Sequence, residues 1–233
     1  MTAHPPDPTI VLVHGAWADG SSWHHVVVRL LRLGLKVTCA PLPLTSLSDD
    51  VSALTRTLER TTAPVVLAAH AYAGAVIGAT RDDRVKSLVY IAALAPDTGE
   101  TVAKMFYRDP PHPDAPTLAP DTHGFLWMPE EGFHRAVAHK ALPDQRSIMA
   151  AAQRPIAVKC IEEPAPMPER KTHPSWFLVA EEDRMINPQT QHFMAHRMGA
   201  LVRSHSVDHS PMLSAPDLVT NVILEATRDT LSK

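Results

Sequence analysis

The sequence predicts an α/β protein: a six-stranded, mainly parallel sheet with helices on both faces and a small insert after the fourth strand. Three observations carry this. Short apolar runs rich in Val, Ile and Leu recur along the 233 residues, amphipathic helical patterns separate them, and the alternation breaks once, between residues 96 and 174. Strands that are apolar on both faces belong to a sheet covered on two sides, and strand–helix alternation implies right-handed crossovers.

In chain order the predicted strands are residues 9–13, 36–39, 64–68, 85–91, 175–179 and 200–204. Between them, residues 22–33 place Val26, Val27, Leu30, Leu31 and Leu33 on one stripe. Residues 48–60 open on Ser-Asp-Asp, a helix-start signal, and repeat Val51, Leu54 and Leu58. Residues 188–198 and 216–227 each start with a proline, which suits a first helical turn.

The break holds many of the 22 prolines, with helical pieces near residues 101–107, 130–140 and 144–152. It also carries Phe106, Phe125, Trp127, Met128 and Phe133, more apolar surface than a linker needs. Residues 97–170 are therefore expected to form a cap inserted in a core made of residues 1–96 and 171–233.

Composition narrows the function classes. Net charge is −3 with 22 basic and 25 acidic side chains mixed along the chain, so nothing suggests nucleic acid or a membrane as partner. Cys39 and Cys160 have no paired spacing, which argues against a disulfide framework or a cysteine-based metal site and fits the cytoplasm. Residues 1–8 are polar and proline-rich, unlike a signal peptide. The His192/His196 and His205/His209 pairs lack the adjacent Glu of a zinc motif, so no metal and no cofactor is expected. The expected partner is a small-molecule substrate; a homodimer is left open.

The chemistry collects after the strands. The first ends in His14-Gly15-Ala16-Trp17, a turn where glycine lets backbone N–H groups approach a ligand. The third runs into Ala69-His70-Ala71-Tyr72-Ala73-Gly74 and a helix, the layout of a nucleophile elbow, Gly-x-Ser-x-Gly, with alanine at all three defining positions. The fifth ends in Glu181-Glu182-Asp183-Arg184, and after the sixth comes Asp208-His209-Ser210. All of these lie at strand C-termini, where open α/β sheets bind ligands. His14 and Trp17, with Trp127 and Met128 of the cap, are candidate substrate contacts.

Taken together, Val-Leu-Val-His-Gly-Ala-Trp at residues 11–17, Ala-Pro-Asp-Thr-Gly-Glu at 95–100, the stretch from Pro174 to Arg184 and the His209 segment resemble small α/β-hydrolases. The likeness is to those related to plant methylesterases and hydroxynitrile lyases, their bacterial members above all, and covers nearly the whole chain. The resemblance implies the α/β-hydrolase fold and a cofactor-independent enzyme, a hydrolase or lyase, acting on a small ester, lactone or ketone. It assigns Ala71 to the nucleophile position, Asp183 to the acid, His209 to the base, and the N–H groups of Ala16 and Tyr72 to an oxyanion hole. The family elbow usually reads Gly-His-Ser-Tyr-Gly-Gly, so this chain departs from it where the nucleophile should be. Three readings of Ala71 stand: a natural site in which His209 and Asp183 act as a general base without a nucleophile, an engineered Ser→Ala trap, and a non-catalytic ligand-binding protein. Ala69 and Ala73 favour the natural site, since removing a nucleophile gives no reason to alter its neighbours.

Overall fold

The computed structural model describes residues 8–61, 64–168 and 173–231. The polar start of the chain, up to residue 7, and the expected cap–core junction at 170–171 lie outside the described residues.

Six parallel strands form the sheet: β1 (Thr9–Val13), β2 (Lys36–Ala40), β3 (Val65–His70), β4 (Val85–Ile91), then β7 (Ser175–Ala180) and β8 (Leu201–His205), in spatial order β2-β1-β3-β4-β7-β8. β1, β3 and β7 are buried throughout, whereas the edge strands β2 and β8 are partly exposed. Strand side chains alternate faces. Val11, Val13, Leu67 and Ala69 therefore join one core cluster, and Ile10, Leu12, Val66 and Ala68 the other.

Helices α1 (His24–Arg32) and α10 (Pro216–Leu231) bury Val26, Leu30, Val219, Val222 and Ile223 in the second cluster. Helices α2 (Leu47–Leu58), α3 (Ala73–Ala79) and α8 (Pro188–Arg197) supply the first, through Leu54, Leu58, Val76, Ile77 and Met194. α2 starts at Leu47, one residue before its Ser-Asp-Asp signal. Ser46 is the cap, its Oγ accepting the Asp49 N–H at 3.0 Å.

Between β4 and β7 lie α4 (Val102–Phe106), a two-stranded antiparallel pair of β5 (Phe125–Leu126) and β6 (Ile156–Ala157), and helices α5 (Glu130–Gly132), α6 (Pro143–Ala152) and α7 (Val158–Glu162). The helix expected at 130–140 is one turn of α5 followed by a wider turn over Phe133–Val137, and it stops where the Ala138 backbone leaves the helical region (φ −142°, ψ 43°). Phe133, Ala136, Val137 and Met128 pack there with Met185 from the loop after β7. A short α9 (Pro211–Ser214) precedes α10.

The parallel register brings the ends of β1, β3 and β7 to one edge: Val13 pairs with Ala69, His70 with Ile91, and Ala180 with His205. The turns after those strands face the segment between β4 and β7. No helix among the described residues is long and apolar enough to cross a membrane.

Candidate active site

β3 ends at His70 and the chain reverses into α3 over two residues. Ala71, at the apex, has φ +51°, in the left-handed region that a side-chain-bearing residue adopts only under strain. Neighbouring backbone holds it there: the Ala71 carbonyl accepts N–H groups from Gly74 (3.1 Å) and Leu94 (2.9 Å), and the Ala71 N–H donates to the Ile91 carbonyl at 3.3 Å. Two glycines make the turn possible. A Cβ on Gly74 would sit 2.5 Å from the Leu94 carbonyl oxygen, and one on Gly15 would sit 3.0 Å from both the Ala71 Cβ and the His70 oxygen. The turn after β1 and the elbow therefore touch backbone to backbone.

The loops after β7 and β8 supply an imidazole and a carboxylate. His209 Nδ1 lies 2.8 Å from Asp183 Oδ2. A carboxylate only accepts, so Nδ1 carries the proton and Nε2 is left to exchange one. Asp183 also accepts the N–H groups of Met185 (2.7 Å) and Ile186 (2.9 Å) and an Nε2–H of Gln191 (2.7 Å). Both partners are buried, at 4% exposure for His209 and 2% for Asp183. The other nearby acids are committed elsewhere: Asp208 accepts from the Lys140 N–H and the Ser214 hydroxyl, Glu181 pairs with His192 and Ser204, and Glu182 pairs with Lys140.

Ala16, Trp17, Ala71, Tyr72 and His209 share the lining of one cavity of ≈ 270 Å³. Leu94 and Ile186 of the core and Phe106, Leu126 and Ile156 of the segment above complete much of an apolar wall; Glu162 is its acidic member. Among the described residues, the N–H groups of Ala16 and Tyr72 donate to no backbone carbonyl. The Tyr72 hydroxyl is committed, donating to buried Asp50 at 2.7 Å. Burial pushes the Asp50 carboxyl and the Tyr72 phenol up, and the Cys160 thiol beside them up to about 12.

Three expected substrate contacts lie elsewhere. His14 is fully buried: its Nε2 accepts the Leu42 N–H and its Nδ1–H donates to the Gly15 carbonyl, both at 3.0 Å, so it fastens the β1 turn and does not reach the cavity. Trp127 is half exposed, its indole N–H donating to Asp121 at 3.1 Å. Met128 is buried among Phe133, Ala136 and Met185, behind the cavity wall. Trp17 does line the cavity.

Two residues beside the site are given no role by the sequence, although His70 matches the His of the family elbow. Gln191, on α8, orients Asp183 while its Oε1 takes the Ala180 N–H at 3.0 Å. His70 donates from Nε2 to the His209 carbonyl at 2.7 Å, tying the elbow to the His209 loop across 139 residues. Among the described residues no group of three or more His, Cys, Asp or Glu side chains could hold a metal ion, and both cysteines are free.

His14 and His70 give a pH prediction. Burial holds the imidazole of each below its ordinary value of 6.5, His70 well below it. The unfolded chain therefore binds more protons than the folded one just below pH 6.5. Their stabilisation is complete above that pH and lost as pH falls, with each unit of displacement worth about 1.4 kcal/mol. The urea midpoint should drop between pH 7 and pH 5; a flat or rising midpoint would contradict the assignment.

The Alpha/beta hydrolase family model matches residues 10–222. A protein of Aspergillus novofumigatus, alpha/beta hydrolase nvfD, is 25% identical over 250 residues, covering 96% of this chain and 98% of its own. A His→Ala variant of tomato methylketone synthase I, complexed with β-ketoheptanoate, superposes with a TM-score of 0.83 at 16% identity, covering 97% of this chain and all (100%) of its own. An Arabidopsis methylesterase superposes with a TM-score of 0.78 at 17% identity, covering 95% and 99%.

Proposed function

Because the chain belongs to the alpha/beta hydrolase family, we propose that it is a cofactor-independent enzyme acting on a small carbonyl compound without a covalent intermediate. The observation that carries this is the buried His209–Asp183 pair opening on the same apolar cavity as the unreactive Ala71. Residues 97–170 act as its cap. The substrate's apolar body lies against Phe106, Leu126 and Ile156, its carbonyl oxygen beside the N–H groups of Ala16 and Tyr72. Those donors hold the charge that develops on oxygen, a contribution independent of any side chain at position 71. His209, kept in one tautomer by Asp183, takes a proton from water or from a carbon next to the carbonyl, or returns one to the product. The resemblance of residues 69–74 to the family elbow Gly-His-Ser-Tyr-Gly-Gly supports reading Ala71 at the nucleophile position.

The tomato structure holds a β-keto acid, and such a compound fits the same reading. His209 Nε2 first takes the carboxyl proton, loss of CO2 leaves the bonding electrons as an enolate on the carbonyl oxygen, and return of that proton from His209 to carbon yields the ketone. No step needs a nucleophile.

Ala71→Ser tests the arrangement. The new hydroxyl sits on a backbone already bent as an elbow requires, so p-nitrophenyl butyrate hydrolysis should appear where the unaltered protein shows none. A folded Ala71→Ser protein with no esterase activity would overturn the assignment of His209, Asp183 and the two N–H groups to one site.

A further inference from the structure

A second cavity of ≈ 220 Å³ lies on the far side of Trp17. Its apolar wall includes Ala18, Ile148 and Met149 of the α6 side, Ala152 and Leu213, with polar groups such as Asp19 and Gln145 at the lining. Trp17 is the one residue common to this lining and that of the cavity holding His209. Its indole is fixed, donating from Nε1 to the Leu126 carbonyl of β5 at 2.9 Å, and its backbone has φ +57°.

We propose that Trp17 is the specificity-determining partition of the site. It closes the reaction cavity toward α6 and sets the longest apolar chain that a bound carbonyl compound can carry. This rests on the carbonyl-pocket reading above. Trp17 directly follows Ala16, whose N–H is assigned to the carbonyl oxygen, so the wall stands next to the reacting group and not at the cavity's remote end. The indole is broad, flat and held at both its backbone and its nitrogen. An alkyl chain pointing toward α6 therefore meets a fixed surface, and the space behind it is out of reach. Removing the ring joins two apolar chambers, and the second can then receive the end of a longer chain.

The test is a ladder of straight-chain 2-alkanones, from 2-pentanone to 2-undecanone, titrated calorimetrically into the full chain. Each methylene buried in an apolar site strengthens binding about fourfold. In the unaltered protein the gain should stop at an intermediate length. In Trp17→Ala, and partly in Trp17→Leu, it should continue, so that 2-undecanone binds at least about tenfold tighter than to the unaltered protein. Ala152→Trp, which fills the second chamber from an exposed position on α6, should leave the unaltered ladder unchanged and, combined with Trp17→Ala, restore the original stop. Affinity that climbs without a stop in the unaltered protein, that keeps the same stop in the folded Trp17 variants, or that falls on Ala152→Trp alone would overturn the partition. No binding of any ketone would overturn the carbonyl-pocket reading along with it.

Discussion

His209→Ala is expected to lower kcat by about 10²–10⁴-fold, the usual worth of a positioned proton-transfer group. The loss should appear on the native carbonyl substrate and equally on p-nitrophenyl butyrate in the Ala71→Ser background, with little change in KM, because the cavity walls that bind the apolar body are untouched. The argument is geometric. Asp183 accepts four hydrogen bonds, from His209, Gln191, Met185 and Ile186, so its carboxylate is fixed and in turn fixes the imidazole. No other titratable side chain in the cavity lining is so placed: Glu162 and Tyr107 are exposed, and the Tyr72 hydroxyl is held by Asp50. Steady-state kinetics on the purified variant decide the matter. A kcat within about threefold of the parent would remove His209 from the reaction; absence of turnover in every parent assay would favour a binding protein on the same scaffold.

Gly74→Ala should be the most damaging single-methyl change. The added Cβ would meet the Leu94 carbonyl oxygen at 2.5 Å and the Ala93 Cβ at 2.9 Å. Neither can swing aside: one is backbone, and Ala93 is fully buried with no further torsion to use. The same Leu94 also donates its N–H to the Ala71 carbonyl, so relief by shifting that strand of chain would unseat the elbow. Overpacking of this kind costs about 3 kcal/mol, which for a domain of this size lowers Tm by about 6–12 °C. A thermal melt followed by circular dichroism reads it directly, and a fall below about 2 °C would show that the contact relaxes at little cost.

Much of this architecture is visible in the sequence because it is local. Each central strand is a run of apolar residues, and each helix flanking the sheet has a stripe or a start signal within a dozen residues. The turn at Ala71 announces itself through small residues, and Asp183 and His209 follow in the order the resemblance implies. What the sequence hides depends on distance. His70 meets the His209 carbonyl, and Gln191 meets Asp183 from a helix whose pattern reads as ordinary surface. His14, directly after β1, reads from sequence both as a support for its loop and as a candidate ligand contact; the Leu42 N–H, which arrives from the turn after β2, fastens it to the loop. Trp127 and Met128 neighbour Leu126 in sequence, yet Leu126 alone of the three lines the cavity. The two-residue strands β5 and β6 leave no periodicity to detect, and they set that register.

The bend at Ala71 has a further consequence for how such a site can change over time. Its left-handed backbone is imposed by Gly74, Gly15 and the Leu94 contact, not by what the residue's side chain carries. In the proposed reaction the main chain therefore holds the oxyanion whether position 71 bears a hydroxyl or a methyl group. Exchanging one atom there would redirect the chemistry between covalent and non-covalent routes, whereas losing the bend would end both. On the proposed reading, the side chain at position 71 sets the reaction type, and the bend beneath it sets the recognition of a developing negative charge.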